Sequence, residues 1–195
     1  ARIERFLTLC ADEAMVVAQP STPASYFHLL RQHALGGKHR PLIVFTPKSM
    51  LKRKDAASQP ADFTAGTFRP VIGDTVDAAA VKTVLLVSGR LTWDLMVERQ
   101  KQERNDVAIV RVEQLYPWPV EEIKAELAKY PNANVKWVQD EPFNQGPWPS
   151  YYLNVVPALG RPVTPVTRPA SSTTAVGTLK RHQAEARELL DQAFA

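Results

Sequence analysis

Residues 106–119 read Asp-Val-Ala-Ile-Val-Arg-Val-Glu-Gln-Leu-Tyr-Pro-Trp-Pro. From Val107 to Val112 the run is almost wholly apolar and β-branched, the composition of a strand covered on both faces. Two prolines then stiffen the chain around Trp118. Loops at the carboxyl ends of such strands are where open α/β sheets meet ligands and partners, so this aromatic loop is the first place to look for function.

The flanking segments repeat the pattern. Thr83 to Val87 reads as a buried strand, Ser88-Gly89 as a turn, and Leu91 to Glu103 as a helix with Leu91, Leu95 and Met96 inward. Beyond the central stretch, a helix is expected from Pro119 to Tyr130, with Glu121 and Glu122 in its first turn and Pro131 ending it. Val135–Gln139 and Val163–Thr167 read as further strands, and Leu179–Phe194 as a C-terminal helix. Strands alternating with helices imply crossover units, so the expected fold class is α/β with a mostly parallel, doubly wound sheet.

Upstream, Ala1 to Glu13 reads as an amphipathic helix with Ile3, Phe6, Leu7 and Cys10 on one face, beginning without a cap. Met15–Ala18 is a short apolar run. Pro20-Ser-Thr-Pro23 then supplies a capping hydroxyl and an early proline for a helix over Ala24–Leu35, with Tyr26, Phe27, Leu30 and Leu35 inward and Gly36-Gly37 as its stop. Leu42–Phe45 reads as a buried strand. From Lys48 to about Ala80 periodicity disappears among Pro60, Gly66, Pro70 and Gly73, the mark of a surface linker. The organisation is therefore a first unit over residues 1–50, a linker over 51–81 and a second unit over 82–195.

With 195 residues and 45% apolar content the chain can bury a core, as one domain or one domain plus part of another. A single cysteine, Cys10, excludes an internal disulfide, and the charged start Arg2, Glu4, Arg5 carries no secretory run, which favours the cytoplasm. No segment approaches the roughly 20 apolar residues of a membrane span. The net charge of +4 is dispersed and no nucleic-acid motif accompanies it, which argues against a nucleic-acid partner.

Candidate chemistry is sparse. Asp140 and Glu141 could form an acid/base couple, but adjacent residues on an extended chain point in opposite directions. Asn144, Gln145 and Trp148 read instead as shaping a buried loop against another chain or domain. Ser88-Gly89 occupies the place of a phosphate loop with one glycine where the fingerprint needs three, and reads as a tight turn. His28, His33, His39 and His182 lack the spacing of a metal set, and Cys10 reads as a small core residue. The basic stretch Lys48, Lys52, Arg53, Lys54 reads as solvated linker. No residue is assigned a catalytic, cofactor-binding or metal-binding role.

Several stretches together resemble the decarboxylating, thiamine diphosphate-dependent component of 2-oxoglutarate dehydrogenase. They are Ala1–Leu7, Gln19–Ala24, Arg40–Leu51, Asp106–Pro119 and Gln139–Trp148, in order along nearly the whole chain. Phe-Thr-Pro-Lys-Ser-Met and Asn-Gln-Gly-Pro-Trp-Pro look most like the actinobacterial type. The resemblance implies a C-terminal portion of the enzyme: residues 1–50 as the end of a pyrimidine-binding α/β domain, and 82–195 as a transketolase C-terminal-like domain. It implies thiamine diphosphate and magnesium bound mainly upstream, together with the substrate-binding histidine. It further implies a homodimer, a lipoyl acyltransferase partner, and an inactive fragment serving domain packing and dimer assembly.

In that branch an acetyl-coenzyme A effector sits between the two units, received by arginines on the second helix and after the central loop. Here Gln114 matches the pattern, while the helix positions read Gln32, with Arg31 beside it, and Val120-Glu121-Glu122. Carboxylates repel phosphate, so activation is expected to be weak or absent, or to use Arg31 and Lys38. Two rival readings remain open: an α/β regulatory module that senses a nucleotide or coenzyme A, and a purely structural interaction domain.

Overall fold

The computed structural model describes residues 2–37 and 39–195. In chain order these form α1 (Ile3–Thr8), β1 (Val16–Ala18), α2 (Pro23–Leu35), β2 (Leu42–Val44), α3 (Pro60–Thr64), β3 (Val71–Ile72), β4 (Thr83–Val87), α4 (Leu91–Lys101), β5 (Val107–Val112), β6 (Gln114–Tyr116), α5 (Val120–Leu127), β7 (Asn134–Pro142), α6 (Trp148–Asn154), α7 (Val156–Leu159), β8 (Thr164–Arg168) and α8 (Leu179–Phe194).

A large sheet has the order β3-β5-β4-β7-β8, with β4 parallel to both β5 and β7, β8 parallel to β7, and β3 antiparallel to β5. Strands β4 and β5 are buried on both faces, and alternate side chains divide the core in two. Val84, Leu86, Ala108 and Val110 cluster with Ile123 and Leu127 of α5 and Trp148 and Tyr151 of α6. Leu85, Val87, Val107 and Ile109 cluster with Leu91 and Leu95 of α4 and Leu189 and Phe194 of α8. Helices thus cover both faces, the doubly wound α/β arrangement.

Glu113 alone separates β5 from β6, and there the chain changes sheets. β6 pairs antiparallel with β1 in a second sheet of order β2-β1-β6, in which β1 and β2 run parallel. The Glu113 carboxylate, fully buried, accepts hydrogen bonds from Ser21 N–H (2.8 Å), Ser21 Oγ (2.5 Å) and Ser25 Oγ (2.7 Å). Arg111 Nη1 donates to Ser21 Oγ (3.1 Å) and Trp93 Nε1 to the Ser21 carbonyl (2.8 Å). Burial pushes the Arg111 guanidinium down, and the charge of Glu113 opposes that shift. One acidic residue therefore fastens the start of α2 to the end of the central strand.

Three expectations are corrected. The first helix ends at Thr8 rather than Glu13, because Asp12 and Glu13 take φ of 49° and 51°, where a right-handed helix cannot continue. Helix α2 is capped as expected, Thr22 Oγ1 accepting from Ser25 N–H at 3.1 Å, but it turns its other face inward. Tyr26, Phe27, Leu30 and Leu35 are 37, 42, 45 and 73% exposed, while Ala24, Ser25, His28 and Leu29 are buried. Periodicity marks an apolar stripe without saying what covers it; here the Ser25 bond to Glu113 and His28 Nε2, 2.7 Å from the Asp62 carbonyl oxygen, hold the opposite side down. Strand β2 is half-buried rather than buried. Between residues 48 and 80, three short 3-10 turns accompany α3 and β3.

Candidate functional site

From β4 the chain crosses through α4 to β5 on one side, and from β5 through α5 to β7 on the other, so the sheet reverses its order of winding at β4. A cavity of about 320 Å³ opens at the carboxyl ends of β4 and β7. Ser88, Arg90, Asp140 and Glu141 line it from the ends of β4 and β7, and Gln19 and Phe45 from just beyond β1 and β2. Gly89 turns at φ 62°, and the Gln19 side chain lies 2.6 Å from where a Cβ would stand, so the turn closes over a side chain and requires glycine.

Asp140 and Glu141 line the same cavity with different partners. The Asp140 carboxylate is shared by Arg90 and by Arg168 Nη2 (3.3 Å), and Arg90 also pairs with Asp94. The Glu141 carboxyl lines the cavity and accepts a hydrogen bond from its own backbone N–H. Burial, and then the charge of Asp140, push it up to about 7. Ser88 Oγ, in the same wall, is buried without a partner.

The loop after β7 is organised by a residue that sequence reasoning passed over. Gln139 Nε2 donates to the carbonyls of Gln145 (2.8 Å) and Pro142 (3.1 Å), while its Oε1 accepts from Trp137 Nε1 (3.1 Å) and Trp148 N–H (2.8 Å). Trp148 and Gln145 are buried as expected, but within this chain: Gln145 Nε2 reaches the Ser171 carbonyl at 2.7 Å, and Asn144, exposed, exchanges two bonds with Ser171. Burial pushes the Cys10 thiol up, and the side chain packs partly against the core.

Of the residues considered for acetyl-coenzyme A, Gln32 and Gln114 line one cavity of about 330 Å³ between α2 and β6, beside Glu13, His33 and Arg40. Arg40, the cation of that wall, pairs with Glu13. Arg31 is exposed on α2 and does not line it; Glu121 and Glu122 are exposed at the start of α5. Lys38 lies outside the described residues. The signal that could have found Arg40 and His33 is their place at the two ends of the α2–β2 connection.

These residues do not fit thiamine diphosphate or its magnesium. Among the described residues no group of three or more His, Cys, Asp or Glu is placed to hold a metal, and the Gly89 turn, in the place of a phosphate loop, packs against the Gln19 side chain. His28 and His33 both face backbone carbonyl oxygens. No catalytic step is assigned to this chain. Among the described residues no helix is long and apolar enough to cross a membrane.

Residues 57–194 match the family model described as 2-oxoglutarate dehydrogenase C-terminal. The chain is 54% identical over 201 residues to the 2-oxoglutarate dehydrogenase E1/E2 component of Corynebacterium glutamicum, an alignment covering 100% of the chain and 16% of that protein. It is 48% identical over 203 residues to the multifunctional 2-oxoglutarate metabolism enzyme of Mycolicibacterium vanbaalenii, with 99% and 16% covered. With the 2-oxoglutarate dehydrogenase E1 component of Cupriavidus necator the figures are 46% over 200 residues, 100% and 21%. The chain thus spans about a fifth or less of the length of these relatives. A doubly wound sheet lying within the matched residues, and relatives of one kind aligned over all or nearly all of the chain, make it a member of the 2-oxoglutarate dehydrogenase family, corresponding to its C-terminal portion.

Proposed function

We propose that this chain is the assembly end of a thiamine diphosphate-dependent 2-oxoglutarate dehydrogenase, in which cofactor and magnesium are held upstream and these residues pack domains and build a homodimer. The parent would decarboxylate 2-oxoglutarate and pass the succinyl unit to a lipoyl acyltransferase in the cytoplasm, the cofactor supplying the electron sink. The single observation that supports this most is end-to-end alignment with relatives bearing that name, joined to a chain whose own residues do not fit the cofactor. The division into residues 1–50, 51–81 and 82–195 belongs to the same proposal, as does inactivity of the chain alone. The exposed Tyr26, Phe27 and Leu30 supply an apolar face suited to burial in an assembly.

The test is turnover of 2-oxoglutarate by the full-length protein with and without thiamine diphosphate, beside the thermal stability of this chain alone. Turnover only with cofactor, and no cofactor-induced stabilisation of the isolated chain, is expected. Stabilisation of the chain alone by thiamine diphosphate would refute the reading. For the effector, Arg40 committed to Glu13 and the exposed Glu121 and Glu122 support weak or absent acetyl-coenzyme A activation. Micromolar binding of that molecule to the full-length protein, read by calorimetry, would overturn this.

A further inference from the structure

Helix α8 is held to the rest of the fold in two different ways along its length. Its last part is docked by apolar packing: Leu189, Ala193 and Phe194 are buried and join Leu85, Leu95 and Ile109 in one cluster. Its first part has no such packing. Every residue from Gly177 to Ala184 is exposed, Leu179 to 69%, and between Gly177 and Glu188 only Glu185 and Ala186 are half-buried.

What holds this first part is charge. Glu185 accepts from Arg168 Nη1 of β8 at 3.0 Å and from Arg181 Nε at 2.8 Å, and Arg187 Nη1 donates to Glu98 Oε1 of α4 at 3.0 Å. The two receiving side chains, Arg168 and Glu98, are enclosed, and each has a second partner that keeps it in place: Asp140 for Arg168 and Gln102 for Glu98. Upstream the chain is pinned again, where Gln145 Nε2 donates to the carbonyls of Ser171 (2.7 Å) and Thr173 (3.1 Å). Beneath the span between these anchorages lies a cavity of about 240 Å³, with Asp140, Gln145, Arg168, Val176, Arg181 and Glu185 in its walls. A Cβ at Gly177 would meet nothing within 4 Å, so the chain has room to turn there. Salt screens ion pairs and leaves apolar packing intact, so the two parts of α8 differ in what releases them.

We propose that residues 177–188 are a strap that closes this cavity, latched by Glu185 on Arg168 and by Arg187 on Glu98, and that it lifts as ionic strength rises while residues 189–194 stay docked. Lifting takes Glu185 off Arg168, which keeps Asp140, and opens the cavity to solutes. This goes beyond the assembly role proposed above and does not depend on it.

Hydrogen exchange of the full-length protein, followed by mass spectrometry at fixed pH, tests the strap. Between about 0.1 M and about 1 M sodium chloride the screening length falls from roughly 10 Å to roughly 3 Å. Amides of residues 181–188 should then exchange about threefold faster, while those of 189–194 change by less than about twofold. In Glu185→Gln the strap should already exchange at the high-salt rate in dilute salt, and added salt should change little. Arg187→Gln, at a side chain 50% exposed, should do the same in part, and it carries the test if Glu185→Gln does not fold by circular dichroism. Exchange in 181–188 that ignores salt overturns the latch, the outcome if another part of the parent covers the segment. Equal acceleration of 189–194 overturns the two-part anchoring, and unchanged exchange in the folded variants overturns the role given to these charges.

Discussion

Replacing Glu113 tests whether one buried carboxylate joins the start of α2 to the end of β5. Glu113→Ala leaves Ser21 N–H, Ser21 Oγ and Ser25 Oγ without their acceptor, and leaves the buried Arg111 without its counter-charge. Removing one partner of a buried, hydrogen-bonded charge typically costs about 3–5 kcal/mol, and the separate orphaned donors do not add in full, since they share one site. A loss of about 4 kcal/mol is a large part of the 5–15 kcal/mol that folded proteins have, and would lower the melting temperature by roughly 10 °C. Glu113→Gln keeps one acceptor oxygen but aims an amide donor at other donors, so it should lose about 2–4 kcal/mol. Equilibrium urea unfolding followed by tryptophan fluorescence suits the measurement, because Trp93 Nε1 bonds to the Ser21 carbonyl and reports on that loop. Arg111→Met should cost less in the Glu113→Gln background than alone, with a coupling of about 1 kcal/mol or more. If Glu113→Ala lies within about 1 kcal/mol of the unsubstituted protein, the fastening does not reside in this residue.

Two further predictions concern groups whose surroundings contradict their type. The Glu141 carboxyl is raised from an ordinary 4.5 to about 7 in the fold, so the folded state holds its proton more tightly than the unfolded chain. Its contribution is fully present below pH 4.5 and is lost as pH rises through about 7, a difference of at most about 3 kcal/mol. Urea midpoints between pH 5 and 8 should fall for the unsubstituted protein relative to Glu141→Gln, and parallel curves would count against the shift. Leu30→Ser, at a side chain 45% exposed, should change the stability of this chain by no more than about 0.5 kcal/mol. The same substitution in the full-length protein should cost several times more if the α2 face is covered there, and equally small effects in both would show it is not.

The parts of the fold legible in the sequence are those where composition and burial coincide. Thr83–Val87 and Val107–Val112 are apolar apart from Thr83 and Arg111 because both faces of those strands are covered, and α8 keeps a clear stripe along Leu179–Phe194. Gln114–Tyr116 was hidden because a three-residue strand ending at a proline carries no periodicity, and α6 because Pro147-Trp-Pro149 reads as a break, whereas proline is welcome in a helix's first turn. The inward face of α2 could not be read, since its decisive contacts are Ser25 to Glu113 and His28 to Asp62, polar pairings between distant residues. The candidate site was legible by place, at the ends of strands, but not by membership. Ser88 looked like a turn, and only the fold brings it beside Gln19 and Glu141.

The exchange of strands between sheets has a practical side. Residues ahead of position 82 supply β3 to the outer edge of the large sheet, and residues beyond it supply β6 to the small one. A cut just ahead of position 82 would uncover β5 at Arg111 and Val112, where β3 pairs with it, and strip β1 of its neighbour β6 at once. Each half would then carry a row of unpaired N–H and C=O groups on an apolar strand, a template for pairing with other chains. Halves produced separately should therefore aggregate, or else find each other and re-form the missing ladders.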